Sequence, residues 1–253
     1  MEGVRQPECA SGVVLGRELG VYATTRNLPT LTAIVTAHDD VPWAIIENLM
    51  DQTIQPTQVV TAVSGWPTDR GWPDPAYEIH LNMDDYGYDK RNKLLPRATG
   101  DYVGFFCHDD RYDLDFVESM LTAAVEGNAD IVYCGWDEPN KAMVGGFRTM
   151  ADCQFKAFDS TLGNFIVRTS LMKQIGGFPI GAAGDLITSA AVVKVGSGLP
   201  VNTELTGKGW LDGLAIIMLK ELTDRIVKVD RVLFHHNQPY WKEIRPSVWG
   251  VKQ

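Results

Sequence analysis

The chain has no apolar run approaching the roughly 18 to 20 residues that a membrane span requires. Its opening residues, with Glu2, Arg5 and Glu8, also lack the apolar core of a secretory signal. A cytoplasmic protein without an integral membrane segment is therefore expected. Cysteine is scarce, and Cys9, Cys107, Cys134 and Cys153 show neither CxxC spacing nor the density of a disulfide scaffold. Cys107 and Cys134 sit inside apolar strand patterns, which suits buried thiols and argues against zinc. Positive charge is the minority sign, with 23 Lys and Arg against 32 Asp and Glu and a net charge of −9. That balance disfavours non-specific binding of nucleic acid. A Gly-rich phosphate loop with a basic residue after the first strand is missing too, which counts against a nucleotidyltransferase.

What remains is an ordinary globular composition, 45% hydrophobic and 22% charged over 253 residues. That length can bury a sizeable core as one α/β domain or two small ones. Charge is unevenly spread. The stretch from Asp39 to Glu138 is strongly acidic, whereas Lys208, Lys220, Arg225, Lys228, Arg231, Lys242, Arg245 and Lys252 make the end of the chain basic. A solvated surface or a late anion-binding face would both produce this polarity.

The most informative stretch runs from Gly100 to Asp115. Tyr102 to Cys107 is apolar and aromatic, the pattern of a strand buried on both faces. It stops at His108, Asp109 and Asp110, and a helix is expected from about Asp115, with Phe116, Met120, Leu121 and Ala124 on one face. The carboxyl end of a strand in an open α/β sheet opens into the ligand crevice. Adjacent carboxylates there repel unless a cation or a proton compensates, and a divalent cation bridging to a diphosphate is one use of such oxygens. A helix-capping role for Asp109 or Asp110 is the competing reading.

Around this stretch the periodicity predicts strands at Leu31–Thr36, Gln58–Val63, Tyr77–Leu81, Asp130–Gly135 and Leu162–Arg168. Helices are expected after His38, over Asp89–Ala98, over Ser170–Ile175 and over Leu214–Leu222. Strands Arg225–Val229 and Val232–Asn237 close the pattern. Pro139–Asp152, with its glycines and little periodicity, reads as a mobile linker or flap. Residues 1–30 carry no motif, and Trp66–Pro75 reads as a loop.

Taken together, Arg91-Asn92, then Ala98-Thr99-Gly100-Asp101-Tyr102, then the strand ending at Asp109-Asp110 resemble the core of family 2 glycosyltransferases of the GT-A fold. The resemblance continues, with gaps, from about Leu31 to Asn237 and includes Gly176-Gly177-Phe178. It implies an α/β fold: one GT-A domain with a Rossmann-like, mostly parallel mixed sheet and helices on both faces. Residues 1–30 would be an extension, 31–138 the nucleotide-sugar half and 139–253 the acceptor half with a tail. It further implies a metal-dependent, inverting transfer of sugar from a nucleoside-diphosphate sugar, with Mn²⁺ or Mg²⁺.

Residue by residue, the resemblance puts Thr36, His38, Asp39 and Ser64 at the nucleotide, Arg91 and Asn92 at the diphosphate, and Asp109 at both donor and metal. No Asp precedes Ser64 where family members contact uracil, and Cys107 replaces the first motif Asp, which suggests a thiol that no longer ligates metal. His236 is the candidate late metal ligand. Two carboxylates compete for the general base, Asp185 and Asp212, and Asp212 is preferred because the helix and strands after it fit better. The acceptor stays open among a glycan, a lipid-linked sugar, a protein side chain and a modified DNA base. A nucleotidyltransferase, or a non-catalytic sugar-nucleotide or glycan-binding module, is the alternative.

Overall fold

Leu31–His38 forms the first strand, β1, as an unbroken apolar and β-branched run flanked by turn residues. A computed structural model describes residues 27–38, 43–64, 78–80, 87–139, 147–157, 159–179 and 211–237. The remaining strands are β2 (Gln58–Ser64), β3 (Glu78–His80), β4 (Tyr102–Cys107), β5 (Arg111–Tyr112), β6 (Ile131–Pro139), β7 (Phe147–Met150), β8 (Phe165–Arg168) and β9 (Ile226–His235). They build one sheet in the order β3-β2-β1-β4-β8-β6-β9-β5, with β7 paired to β6. Strands β1, β2, β3, β4, β6 and β9 share a direction, and β5, β7 and β8 oppose them. This is the mostly parallel mixed sheet that the motif order implies.

Five helices are described: α1 (Trp43–Met50), α2 (Gly87–Leu94), α3 (Phe116–Glu126), α4 (Thr169–Gln174) and α5 (Leu211–Leu222). Alternation along the strands divides the core into two layers. Leu31, Ala33 and Val35 of β1 with Tyr102 and Phe106 of β4 pack on Ile45 and Leu49 of α1 and Phe116, Val117 and Met120 of α3. On the other face, Ile34, Val103 and Phe105 meet Leu94, Met172, Ala215, Ile216 and Leu219 from α2, α4 and α5. Helices thus cover both faces.

Three expectations change. The Pro139–Asp152 stretch contains β7, because β6 runs on to Pro139 and offers it an edge: Trp136 pairs with Met150 and Pro139 with Phe147. The two closing strands are one, β9, whose register against β6 skips Asp230 and Arg231 between the Cys134–Val229 and Gly135–Val232 pairs. Those exposed charged residues sit in an irregularity that breaks the pattern without ending the strand. The two-residue β5 was not expected at all.

Candidate active site

In this sheet β1 turns outward to β2 on one side while β4 lies on its other side, so the strand order reverses between β1 and β4. Ligands of open α/β sheets bind at the carboxyl ends of the strands at such a switch point. The register puts Thr36 of β1 beside Cys107 of β4, and His108 N donates to Thr36 O at 3.3 Å. Helix α2 supplies cations beneath these ends. Arg91 is buried, and its Nη2 donates to Thr36 Oγ1 and Cys107 Sγ, each at 2.8 Å. Its guanidinium lies 5.3 Å from the centre of the Tyr88 ring one turn earlier. Lys90, also buried, donates from Nζ to Ala37 O at 3.2 Å and Ser64 Oγ at 2.6 Å.

Just past β4, Cys107, Asp109 and Asp110 bring their ligand atoms within 4.8 Å of one another. Neither Asp caps α3, because the N-cap is Asp115. Antiparallel pairing of Arg111 with His235 and Tyr112 with Phe234 carries the end of β9 alongside this loop. As a result His236 Nδ1 meets Asp110 Oδ1 at 2.9 Å, and Asn237 N donates to the same oxygen at 3.1 Å. Asn237 adopts a left-handed φ of 53°, a conformation Asn tolerates better than most residues. Helix α1 clamps the loop from behind. Asn48 donates from Nδ2 to Tyr112 O at 2.9 Å and accepts from Tyr112 N at 2.7 Å, while Gln52 bonds Asp113 O and Val117 N.

Burial pushes the Asp110 carboxyl upward, against the pull of His236. Burial opposes a charged His236 ring, but the Asp110 hydrogen bond and the charges of Asp110, Asp109 and Glu138 outweigh it and raise the imidazole above its usual range. The Cys107 thiol is pushed up to about 12 by burial, with Arg91 pulling the other way. At the start of α5, Asp212 accepts from Gly213 N at 2.8 Å and is half-buried. Burial raises its carboxyl, and the charges of Arg91 and His236 draw it back. Asp212 therefore stands within electrostatic reach of both the β4 mouth and the β9 end.

The expected residues divide into three groups. Arg91 and Asp109 lie at the mouth of β4, and Asp212 feels Arg91 and His236; His236, expected as a metal ligand, is outside the Cys107–Asp109–Asp110 cluster and meets Asp110 instead. Thr36 and Ser64 lie at the floor of the crevice, but their hydroxyls are engaged by Arg91 and Lys90, so they position cations rather than present themselves as base contacts. Asn92, expected at the diphosphate, spends its amide on Phe178, donating to the carbonyl at 2.6 Å and accepting from N–H at 2.7 Å. Its place one residue on from Arg91 turns it toward the Gly176-Gly177-Phe178 turn instead. Backbone of His38 ends β1, whereas its side chain, Asp39 and Asp185 lie outside the described residues.

Two contributors escaped the sequence reading. Asp110 had its adjacency to Asp109 as a signal, but its partner His236 is 126 residues away. Asn48 on α1 and Gln52, just past its end, were not singled out. His235, the neighbour of His236, is held by two other carboxylates, Asp137 at 2.9 Å and Asp113 at 3.0 Å. It fastens β9 to β6 and to the loop after β5.

One family model matches residues 79–180 of the chain. That family is glycosyl transferase family 2. The matched stretch begins in β3, includes Arg91, Cys107, Asp109 and Asp110, and ends after the Gly176-Gly177-Phe178 turn. The resemblance carried by these glycosyl transferase family 2 motifs is therefore borne out. No curated protein sequence matches the chain.

Among solved structures, S. aureus TarS 1–349 in complex with UDP superposes with a TM-score of 0.55 at 16% identity, covering 81% of this chain and 60% of that one. The same TarS segment in complex with UDP-GlcNAc gives 0.54 at 17% identity, with coverages of 81% and 58%. S. aureus TarS itself gives 0.53 at 16% identity, with coverages of 82% and 36%. The chain thus spans about 60% of TarS 1–349. The shared fold is of the GT-A type.

Proposed function

We propose that this chain transfers a sugar from a nucleoside-diphosphate sugar to an acceptor hydroxyl, with a divalent cation and with inversion at the anomeric carbon. The observation that carries the reading is the meeting at the mouth of β4 of Arg91, the Cys107–Asp109–Asp110 cluster and His236, with Asp212 under the influence of the Arg91 and His236 charges. A fold alone hosts many chemistries, so the proposal rests on this constellation. The TarS complexes with UDP and UDP-GlcNAc support the donor class.

The donor set suits a cation: two carboxylates and a sulfur lie within 4.8 Å, one carboxylate is backed by an imidazole, and the Nε of buried Arg91 has no hydrogen-bond partner among the described residues. Asp109 and Asp110 would hold it, with Asp109 the more exposed carboxylate. When bound, Mn²⁺ or Mg²⁺ supplies charge neutralisation to a departing diphosphate. Arg91 adds a fixed positive charge at the β4 mouth, and His236 with Asn237 holds Asp110 in place. Asp212 acts as general base. Its carboxylate takes the acceptor hydroxyl proton as the acceptor oxygen bonds to the anomeric carbon, and the bond from that carbon to the diphosphate oxygen breaks with its electron pair on the leaving group. A carboxyl raised by burial holds a proton better than a solvated one, which suits that task.

Asp109→Ala tests the assignment. Calorimetry with Mn²⁺ should show metal-dependent donor binding in the parent and none in the variant, with circular dichroism unchanged; unaltered donor affinity would remove Asp109 from the site.

A further inference from the structure

From the neighbourhood of Cys107 we infer that its sulfur is a ligand of the cation, so that the site selects thiophilic divalent ions over Mg²⁺; this rests on the proposed metal-dependent reading. A cysteine at the end of an apolar strand is ordinarily a small packing residue. Cys107 is not surrounded that way. It is half-buried, its Sγ shares a 4.8 Å cluster with oxygens of Asp109 and Asp110, and Arg91 Nη2 donates to it at 2.8 Å. Two anionic groups and a guanidinium are poor company for a packed thiol. They suit a sulfur that becomes anionic on metal binding, its proton leaving to solvent as the sulfur–metal bond forms.

Register supports this placement. Cys107 pairs with Thr36, whose hydroxyl accepts from the same Arg91 nitrogen. One guanidinium therefore fixes the sulfur and the end of β1 together. The carboxylate next in the cluster is likewise fixed, because Asp110 Oδ1 meets His236 Nδ1 and accepts from Asn237 N. Mg²⁺ demands near-octahedral oxygen ligands and keeps its waters. A site with one sulfur and two carboxylates instead favours ions later in the divalent series and softer ones such as Co²⁺ and Cd²⁺. The replacement of an oxygen ligand by sulfur is thus a change of metal preference rather than a loss of metal binding.

The test uses the full chain with Co²⁺, Cd²⁺ or Mg²⁺ alone, so no turnover is read. Titration with Co²⁺ should develop the sulfur-to-cobalt charge-transfer absorption of the near ultraviolet. That band should be absent from Cys107→Ser, and from Asp109→Ala, which rules out a site at another cysteine. By calorimetry Cys107→Ser should lose on the order of tenfold or more in Cd²⁺ affinity while Mg²⁺ affinity holds, and Cys107→Asp should bind Mg²⁺ more tightly than the parent. Should the serine variant fail to fold, the parent spectrum decides alone. Co²⁺ binding without the band, or full Cd²⁺ preference retained in Cys107→Ser, overturns the inference and leaves the metal-dependent reading standing. Absence of binding by all three ions overturns that reading and the inference with it.

Discussion

Asp212 shows how much one carboxylate is asked to do. It lies in the first turn of its own helix, accepting from the Gly213 N–H, where a negative charge at a helix start contributes roughly 0.3–1 kcal/mol. It also feels the charges of Arg91 on α2 and His236 after β9. Asn separates the two roles, since it keeps shape and the bond from Gly213 N–H but cannot accept the acceptor's proton. Asp212→Asn should reduce kcat on the order of a hundredfold or more while leaving donor affinity and melting temperature nearly unchanged. Steady-state kinetics beside donor calorimetry read this directly; near-normal kcat would leave Asp212 only its structural role at the start of α5.

At the scale of elements, the crevice depends on contacts behind its lining. Asn92 fastens the turn after α4 to α2 by both atoms of its amide. The turn approaches that closely only because residue 177 lacks a side chain. Gly177 has φ +85°, and a Cβ there would run into the Asn92 amide. Gly177→Ala should therefore destabilise by at least about 1–2 kcal/mol, the cost of the left-handed backbone alone. Gly176, with φ +78° and open space around it, should tolerate Ala with only that backbone cost. Urea denaturation of the two variants gives the comparison, and an equal loss in both would show that the Asn92 contact is slack.

The same scale explains what was legible in the chain. β4 was readable end to end because Tyr102–Cys107 is uniformly apolar and stops at charged residues. Arg91, Asp109 and Asp212 were singled out because the resemblance to family 2 glycosyltransferases places its motif positions on them. β5 was not, since two residues carry no periodicity and exist as a strand only through Tyr112's hold on Asn48 and its pairing with β9. The role of Asp110 was hidden for a related reason: its hydrogen bond to His236 depends on strand register, a long-range quantity. Asn92 was misplaced because its partner lies 86 residues on, and only folding brings the Phe178 backbone to it.

Over the whole molecule, the proposed binding site and a buried ion-pair cluster lie at the two ends of the sheet. The crevice occupies the carboxyl ends of β1 and β4. At the opposite end Asp130, buried just before β6, gathers Arg168 of β8 at 2.7 Å, Thr223 at 2.6 Å, and Arg225 Nε at 2.8 Å. Burial alone would raise its carboxyl, but the hydrogen bonds from Thr223, Arg225 and Arg168 outweigh it and hold it below the usual range. A carboxyl depressed in the folded state stabilises above its unfolded pKa of about 3.9, and that contribution is lost as pH falls through the lower folded value. Asp130→Asn should therefore cost about 1.5–3 kcal/mol at neutral pH, the range for hydrogen bonds to a charged group. The gap from the parent should narrow as the solution is acidified below pH 4, and donor affinity should not change. A gap independent of pH would assign the loss to packing rather than to charge.

The central claim is that the crevice at the mouth of β4 breaks the bond between a sugar and a nucleoside diphosphate. Its most direct test is release of nucleoside diphosphate from a panel of nucleoside-diphosphate sugars, including UDP-GlcNAc, with a divalent cation and water as the default acceptor. Slow release from at least one donor is predicted, abolished by chelation and by Asp109→Ala. Release of pyrophosphate in its place would make the chain a nucleotidyltransferase, and tight donor binding with no release of either product would make it a binding module.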